Sequence, residues 1–361
     1  MTRSILIAIA AVACGPGSSS SGGEAIQLWH TFGDAETELL NATLDARKGD
    51  DVEVTRIAFA RGHVVLSEIL GGGDRCPDLL RIDATWLAAL SHRLAAAPSA
   101  LIAEREWVPE ALALATFDGV ARGLPQSIDG LVLIGDPAGD RIGVPIDAYW
   151  FIPYLRAAGA DIFDASSGNL GIDSPVAATA LDDFAALTRA GPRTAERAAN
   201  ALVAGELDAI VEGPWAIHGL RTAGLDIAVA PLPVAGTSPR GGQLFAVPRC
   251  SKRTEAAWQL AADLTAPEVQ VRWSQALALV PTTAEALEAA PPIARALRDA
   301  LASGRPLPAH PITPDLFDDL SPAIEAVVAG DATSVEALAG VERAWRRLAQ
   351  RHGIAIRESS P

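Results

Sequence analysis

From Ala25 onward the chain alternates short β-rich runs with helical ones, and no other feature restricts its fold so strongly. Ala25–Thr31 reads as a strand, Ala35–Arg47 as a helix and Val52–Phe59 as a second strand. His63–Leu70 predicts a short helix closed by Gly71-Gly72-Gly73, Asp78–Asp83 a third strand, and Thr85–Ala96 a further helix. Alternation at this spacing predicts a mostly parallel sheet flanked by helices, a design that places ligands at the carboxyl ends of its strands.

A Gly/Pro-punctuated passage, Gly119 to Pro125, leads into a second unit. Its predicted elements are a strand near Gly130–Ile134, helices over Trp150–Ala158, Pro175–Ala190 and Glu196–Ala204, and strands at Asp208–Val211 and Asp226–Ala230. Asp173-Ser174-Pro175 is a sound helix start, with Pro in the first turn. A second punctuated run, Pro231 to Gly242, precedes a strand at Leu244–Val247 and helices over Thr254–Leu264 and Pro267–Leu279. Ala284–Leu301, Pro314–Ala329 and Ser334–Gln350 complete a helical C-terminus. Two crossings within one alternating pattern predict two α/β lobes around a cleft that closes by hinge motion. A chain of 361 residues, 49 % hydrophobic and 20 % charged, has the apolar content for a core in each.

Composition removes several classes of function. With 44 acidic against 29 basic residues the formal charge is −15, an unfavourable balance for phosphate-dominated nucleic-acid binding. Only Lys48 and Lys252 are lysines, and neither sits in a P-loop. Cys14, Cys76, Cys250 and six histidines are scattered singly, so no metal site or cofactor is expected. Residues 1–13 carry one cation, Arg3, and an apolar run from Ile5 to Ala13, the plan of a short export signal. Ala11-Val12-Ala13-Cys14 resembles a bacterial lipobox, with Ala11 where Leu is usual, which predicts acylation of Cys14. Residues 14–24 read as a flexible tether. No later stretch reaches membrane-spanning length without charges, so the lipid is the expected membrane contact.

Longer runs carry a resemblance. In order they are AIQLWHTFGDAE, CPDLLRIDATWLAAL, GLPQSIDGLVLI, YWFIPYLRAAGADIFD with GIDSPVAATALDDFAAL, VAGELDAIVEGPWAIHGL, DIAVAPLPVAG, GGQLFAVPRCSKRTEAAWQLAADLTAPEVQ and VVAGDATSVEALAGVERAW. The set is similar to the maltose-type (family 1) extracellular solute-binding proteins of ABC sugar transporters. The resemblance implies a type II periplasmic-binding-protein-like α/β fold, with two lobes, a hinge and a central ligand cleft. On this reading residues 25–122 and 240–285 form the N-terminal lobe, 123–239 and 310–352 the C-terminal lobe, and 286–309 the hinge or linker. After Ile134 the run GDPAGDRIGVP bridges directly to Tyr149, where the family has a longer helical insert, so the second lobe is trimmed.

The resemblance also implies a ligand set. Thr31 and Asp34 follow the first strand, where polar contacts to sugar hydroxyls sit; Asp34 serves equally as the N-cap of the next helix. Asp83 ends the third strand and matches a sugar-binding Asp. Trp86 lines the cleft or packs its own helix. Asp129 matches an acidic residue past the crossing, with Gln126 a weaker neighbour. Trp215, after Gly-Pro, matches a sugar-stacking Trp, and Tyr149 another stacking aromatic. Phe317 stands where the C-terminal helix has a stacking Trp, and Gln243 follows the glycines of the return crossing. Trp29, Trp150, Trp258, Trp273 and Trp345 are expected to be structural. Aromatic faces suit the C–H face of a pyranose, and carboxylates its hydroxyl rim.

In the family the third strand and the strand at Leu244–Val247 are antiparallel neighbours, which brings Cys76 near Cys250. In an oxidising compartment the two form a disulfide or remain buried thiols. Asp83 and Asp129 could in principle do glycosidic acid/base work, but no nucleophile elbow or His-Glu-x-x-His is present, so an enzyme is not expected. The expectation is a monomeric, lipid-anchored, extracytoplasmic protein of a bacterial membrane. It captures a small saccharide and delivers it to ABC permease subunits; the alternative is a sensor on the same fold, or a binder of a non-sugar solute, without transport.

Overall fold

In the computed structural model the described residues are 25–72, 75–163, 170–234 and 236–353. The expected export signal (1–13), Cys14 and the tether (14–24) lie outside them. Along the chain the strands are β1 Ile26–His30, β2 Val52–Arg56, β3 Leu79–Asp83, a small hairpin of β4 Thr116–Phe117 and β5 Val120–Ala121, β6 Leu124–Asp129, β7 Val132–Gly135, β8 Ile142–Gly143, β9 Ala209–Glu212, β10 Val229–Ala230 and β11 Gly241–Ala246.

The first lobe is built on a five-stranded sheet of order β2-β1-β3-β11-β6. β1 runs parallel to β2 and β3, while β11 is antiparallel to both β3 and β6. Its inner strands are buried on both faces by simple period-2 alternation. Leu79 and Phe245 join a cluster with Ile26, Leu28, Trp258 and Trp273, and Leu80, Ile82, Leu244 and Ala246 join Leu66 and Trp86 on the other side. Helices α1 (Asp34–Ala46) and α2 (Gly62–Ile69) follow β1 and β2. Gly33 is the N-cap of α1 and its amide is held by Glu36 Oε2 at 2.9 Å, which puts Asp34 inside the first turn and not at the cap.

The second lobe has a four-stranded sheet of order β10-β7-β9-β8. Contrary to the parallel pattern expected from the alternation, β7 is antiparallel to both neighbours and only β8–β9 is parallel. β8 lies within the short bridge before Tyr149 and supplies an edge strand there. Helices α3 (Ala148–Ala157), α4 (Pro175–Thr188), α5 (Thr254–Leu264), α6 (Pro267–Leu277), α7 (Pro292–Leu301), α8 (Leu316–Ala329) and α9 (Ser334–Arg351) follow in chain order. Of these, α3, α4, α8 and α9 enclose a core of Phe151, Phe184, Leu320 and Trp345. Their starts are locally encoded: Ser174 Oγ accepts from Ala177 N at 3.2 Å ahead of Pro175, and Thr333 and Glu336 cap α9 reciprocally.

Four expectations change. Gly119–Pro125 holds β5 and the start of β6, and β6 joins the first sheet through Asp129. Pro125 hid this strand; it is tolerated because β6 is an edge strand. Residues 286–309 are no simple linker, since α7 buries Ile293, Leu297 and Leu301 with Ile134, Ile210 and Val280 between the sheets. Pro291 and Pro292 split the expected helix over 284–301, because a residue preceding proline leaves the helical region. The expected helix over 85–96 is a single α-turn, Leu87–Leu90, between two 3₁₀ turns.

Cys76, just before β3, and Cys250, shortly after β11, are joined as a disulfide with their Cα atoms 6.0 Å apart.

Candidate functional site

Three strand ends of the first sheet converge through their register. Gln243 of β11 pairs with Asp83 of β3 on one side and Ser127 of β6 on the other, and Gly241 pairs with Asp129. The Gln243 side chain spans both neighbours: its Nε2 donates to Asp83 Oδ2 at 2.7 Å and to Asp129 Oδ2 at 3.1 Å. Asp83 Oδ1 accepts from the Thr85 amide at 2.8 Å and the Thr85 hydroxyl at 2.6 Å, capping the turn Ala84–Trp86.

Beneath these acids lies Arg81, a buried cation that the apolar run Leu79–Asp83 disguised. Arg81 Nη1 donates to Thr31 Oγ1 at 3.1 Å, its Nε and Nη2 to Gln126 Oε1 at 3.4 and 3.5 Å, and Glu36 lies 3.8 Å away. Its guanidinium stacks 4.2 Å above the Phe32 ring. Burial pulls Arg81 below its ordinary pKa, opposed by Glu36, Asp129 and Asp83. Burial, with Asp83 adding to it, pushes Asp129 up to about 7 against the help of Gln243 and Arg81. His30 is fully buried and is lowered to about 4 by burial and then by Arg81 and Arg56.

The second lobe contributes aromatic rings from the starts of helices. Tyr149 follows Asp147, whose Oδ1 caps α3 by accepting from the Tyr149 amide at 2.8 Å. Its hydroxyl donates to the Pro239 carbonyl of the return crossing at 2.9 Å. The Trp215 and Phe317 rings each lie 6.3 Å from the Tyr149 ring. Burial, then Asp129 and Asp83, hold the Tyr149 hydroxyl well above its ordinary pKa. Trp215 is 46 % exposed, and its Nε1 donates to Glu212 Oε1 at 2.6 Å. Glu212 also accepts from the Gly213 amide at 3.0 Å, and burial pushes its carboxyl up to about 7. Gly213 is required here, because a Cβ on it would lie 2.2 Å from the indole.

The structure thus brings Thr31 and Gln126 together on Arg81, Asp83 and Asp129 together on Gln243, and the rings of Trp215 and Phe317 to that of Tyr149. Asp34 is exposed and paired with Arg56. Trp86 is buried and packs with the Phe59 and His63 rings, 5.2 and 6.0 Å away. Trp258, Trp273 and Trp345 are core, and Trp150 donates to the Val211 carbonyl at 2.7 Å. Missed in the sequence were Arg81 and Glu212, each a charged residue inside an apolar strand, and a contact between lobes. His63 Nε2 of α2 lies 2.7 Å from Asp315 Oδ1, next to α8.

Comparison with known proteins agrees with this architecture. The structure superimposes on the GacH receptor of Streptomyces glaucescens GLA.O, described unliganded and with acarbose and an acarbose homolog; the TM-score is 0.79 at 23 % identity, over 90 % of this chain and 98 % of that one. Maltose-bound T. maritima MalE3 matches with a TM-score of 0.79 at 20 % identity, over 90 % and 100 % of the two chains. At these identities the likeness shows a shared type II periplasmic-binding-protein fold. The maltotriose-binding protein of Pyrococcus abyssi (strain GE5 / Orsay) is 28 % identical over 168 residues, which are 42 % of this chain and only 37 % of that relative's length. The family described as bacterial extracellular solute-binding protein matches residues 94–298, more than half of the chain, and the protein belongs to that family of binding proteins.

Proposed function

We propose that this protein captures a small saccharide between its lobes and delivers it to an ABC permease. The observation that supports this most is the pairing, across one cleft, of a hydrogen-bonded acidic ladder (Asp83, Gln243, Asp129) with an aromatic group (Tyr149, Trp215, Phe317). Rings bury the C–H face of a sugar, and carboxylates take its hydroxyls with charge-assisted bonds. Closure of the lobes over residues 25–129 and 240–285 on one side, and 130–239 with 310–352 on the other, couples occupancy to shape. The relatives that bind maltose or maltotriose point to the same ligand class.

A thermal-shift screen of mono-, di- and trisaccharides, polyols and amino acids tests the reading. A ligand that binds only the folded state stabilises it by roughly 2.7 kcal/mol at a hundred times its Kd. A shift with saccharides supports the proposal, and a shift confined to amino acids or polyols overturns it. The export signal ahead of Cys14 supports lipid anchoring outside the cytoplasm. Palmitate labelling of the full chain in a bacterial host, lost in Cys14→Ser, tests that part.

A further inference from the structure

The acidic side of the cleft holds more acceptors than donors. Gln243 is 8 % exposed, and its Nε2 serves Asp83 Oδ2 at 2.7 Å and Asp129 Oδ2 at 3.1 Å. Those two bonds fix the amide orientation, because a flipped amide would set its oxygen against two carboxylates. Gln243 Oε1 is therefore a true acceptor, and it is buried without a partner. Among the described residues Asp129 takes no hydrogen bond other than that from Gln243.

The cation below does not serve these groups. Arg81 commits its donors to Thr31 and Gln126, and three carboxylates, Glu36, Asp83 and Asp129, act on its single charge. The local excess is negative. A buried acceptor without a donor and three carboxylates sharing one counter-charge have the same complement: a compact cation rich in N–H donors. An ammonium brings three donors and one charge to a small volume, whereas a guanidinium is planar and broad. A hydroxyl brings one donor and no charge.

Near the same acids stands Tyr149: its hydroxyl lies 2.9 Å from the Pro239 carbonyl, which a Cβ on Gly130, the neighbour of Asp129, would approach to 3.1 Å, and the Trp215 and Phe317 rings are 6.3 Å from its own. One class of small molecule joins an apolar ring face to an ammonium. The geometry points to a saccharide carrying a free amine as the preferred ligand, its ammonium on Asp129, Asp83 and Gln243 Oε1 and its ring face on the Trp215–Tyr149 side. This inference rests on the saccharide reading above and narrows it.

Matched sets of ligands separate the two by titration calorimetry on the unaltered full chain near pH 7. One set is D-glucosamine, N-acetyl-D-glucosamine and D-glucose; a second is the fully deacetylated chitosan disaccharide, N,N′-diacetylchitobiose and cellobiose; a third is maltose to maltotetraose. The expected result is that, in at least one of the first two sets, the free amine binds tenfold or more tightly than both neutral members. In Asp129→Asn the ratio of amine to neutral affinity falls toward one; an unchanged ratio overturns the assignment to this cluster. The wild-type comparison needs no variant, so a misfolded Asp129→Asn does not rescue the inference. Equal or weaker binding of both amines, with any neutral sugar bound, overturns the inference and leaves the saccharide reading standing. Silence from all three sets overturns the inference and removes support for the saccharide reading as well.

Discussion

In the first lobe, Thr31, Arg81 and Gln126 form one hydrogen-bonded set and Asp83, Gln243 and Asp129 a second, among groups that are mostly buried. On the second-lobe side, Tyr149, Trp215 and Phe317 meet only at ring edges, and Trp215 is 46 % exposed. The polar side belongs to the sheet's interior as much as to the site, so its residues cannot be changed without disturbing the fold. The aromatic side is fastened at single points, such as the Trp215–Glu212 bond, and is free to be altered for ligand alone. On the proposed function, hydroxyl geometry falls to the first side and ring faces to the second.

The largest effect that breaks this contrast is on the rigid side. Arg81→Met leaves Glu36, Thr31 and Gln126 without their partner, and loss of one member of a buried charged network costs about 3 kcal/mol. Chemical denaturation is expected to show that loss together with loss of ligand binding. Trp215→Ala, by contrast, is expected to weaken binding roughly a hundredfold, about 2.7 kcal/mol, while costing the fold under about 1 kcal/mol. Equal stability losses in the two variants would break the comparison.

A third effect sharpens it through pH. Burial raises Glu212 from 4.5 to about 7, so between those values the folded protein holds a proton that the unfolded chain has released. Stability from this group is therefore present near pH 4.5 and declines as pH rises to about 7. Glu212→Gln keeps an oxygen for the Trp215 indole and removes the penalty. Its stability relative to wild type is expected to rise by about 2–3 kcal/mol between pH 5 and 8, measured by urea denaturation at each pH. A flat difference would mean that Glu212 is charged in the folded state.

The smallest expected effect lies between the two sides. His63 and Asp315 bridge α2 and the turn before α8 without belonging to either half of the site. Asp315→Asn is expected to weaken every bound ligand by a similar small factor, about two- to fivefold, because such pairs contribute about 0.5–1 kcal/mol. Ligand-dependent factors would instead place Asp315 in contact with ligand.

Helix starts such as those of α4 and α9 were legible because their signals are local. Ser174-Pro175 starts α4 and Thr333 with Glu336 starts α9, whatever the rest of the chain does. The convergence of Asp83, Asp129 and Gln243 is set by the register of β11 between β3 and β6, and no local pattern encodes that pairing. The resemblance alone brought those three together in the reading of the sequence. It left Asp34 between ligand contact and helix cap and Trp86 between cleft and packing, and the structure shows Asp34 paired with Arg56 and Trp86 packed on Phe59. Arg81 and Glu212 escaped because a charge inside an apolar strand looks like an interruption until its partners, distant in sequence, are known. Pro125 concealed β6 for the opposite reason: a strand breaker is harmless where one edge of the strand has no neighbour.

The Cys76–Cys250 bond ties together two points 174 residues apart, and every strand from β3 to β11 lies between them. Covalently, the whole second sheet is a closed ring hung from the first. A single backbone cut anywhere in that ring leaves both fragments joined, so a nicked molecule migrates as one species until it is reduced. β3 and β11, which carry Asp83 and Gln243, also stay tethered to each other when the second lobe is opened or cleaved. Damage to the second sheet is thereby kept from parting the two strands that hold Asp83 against Gln243.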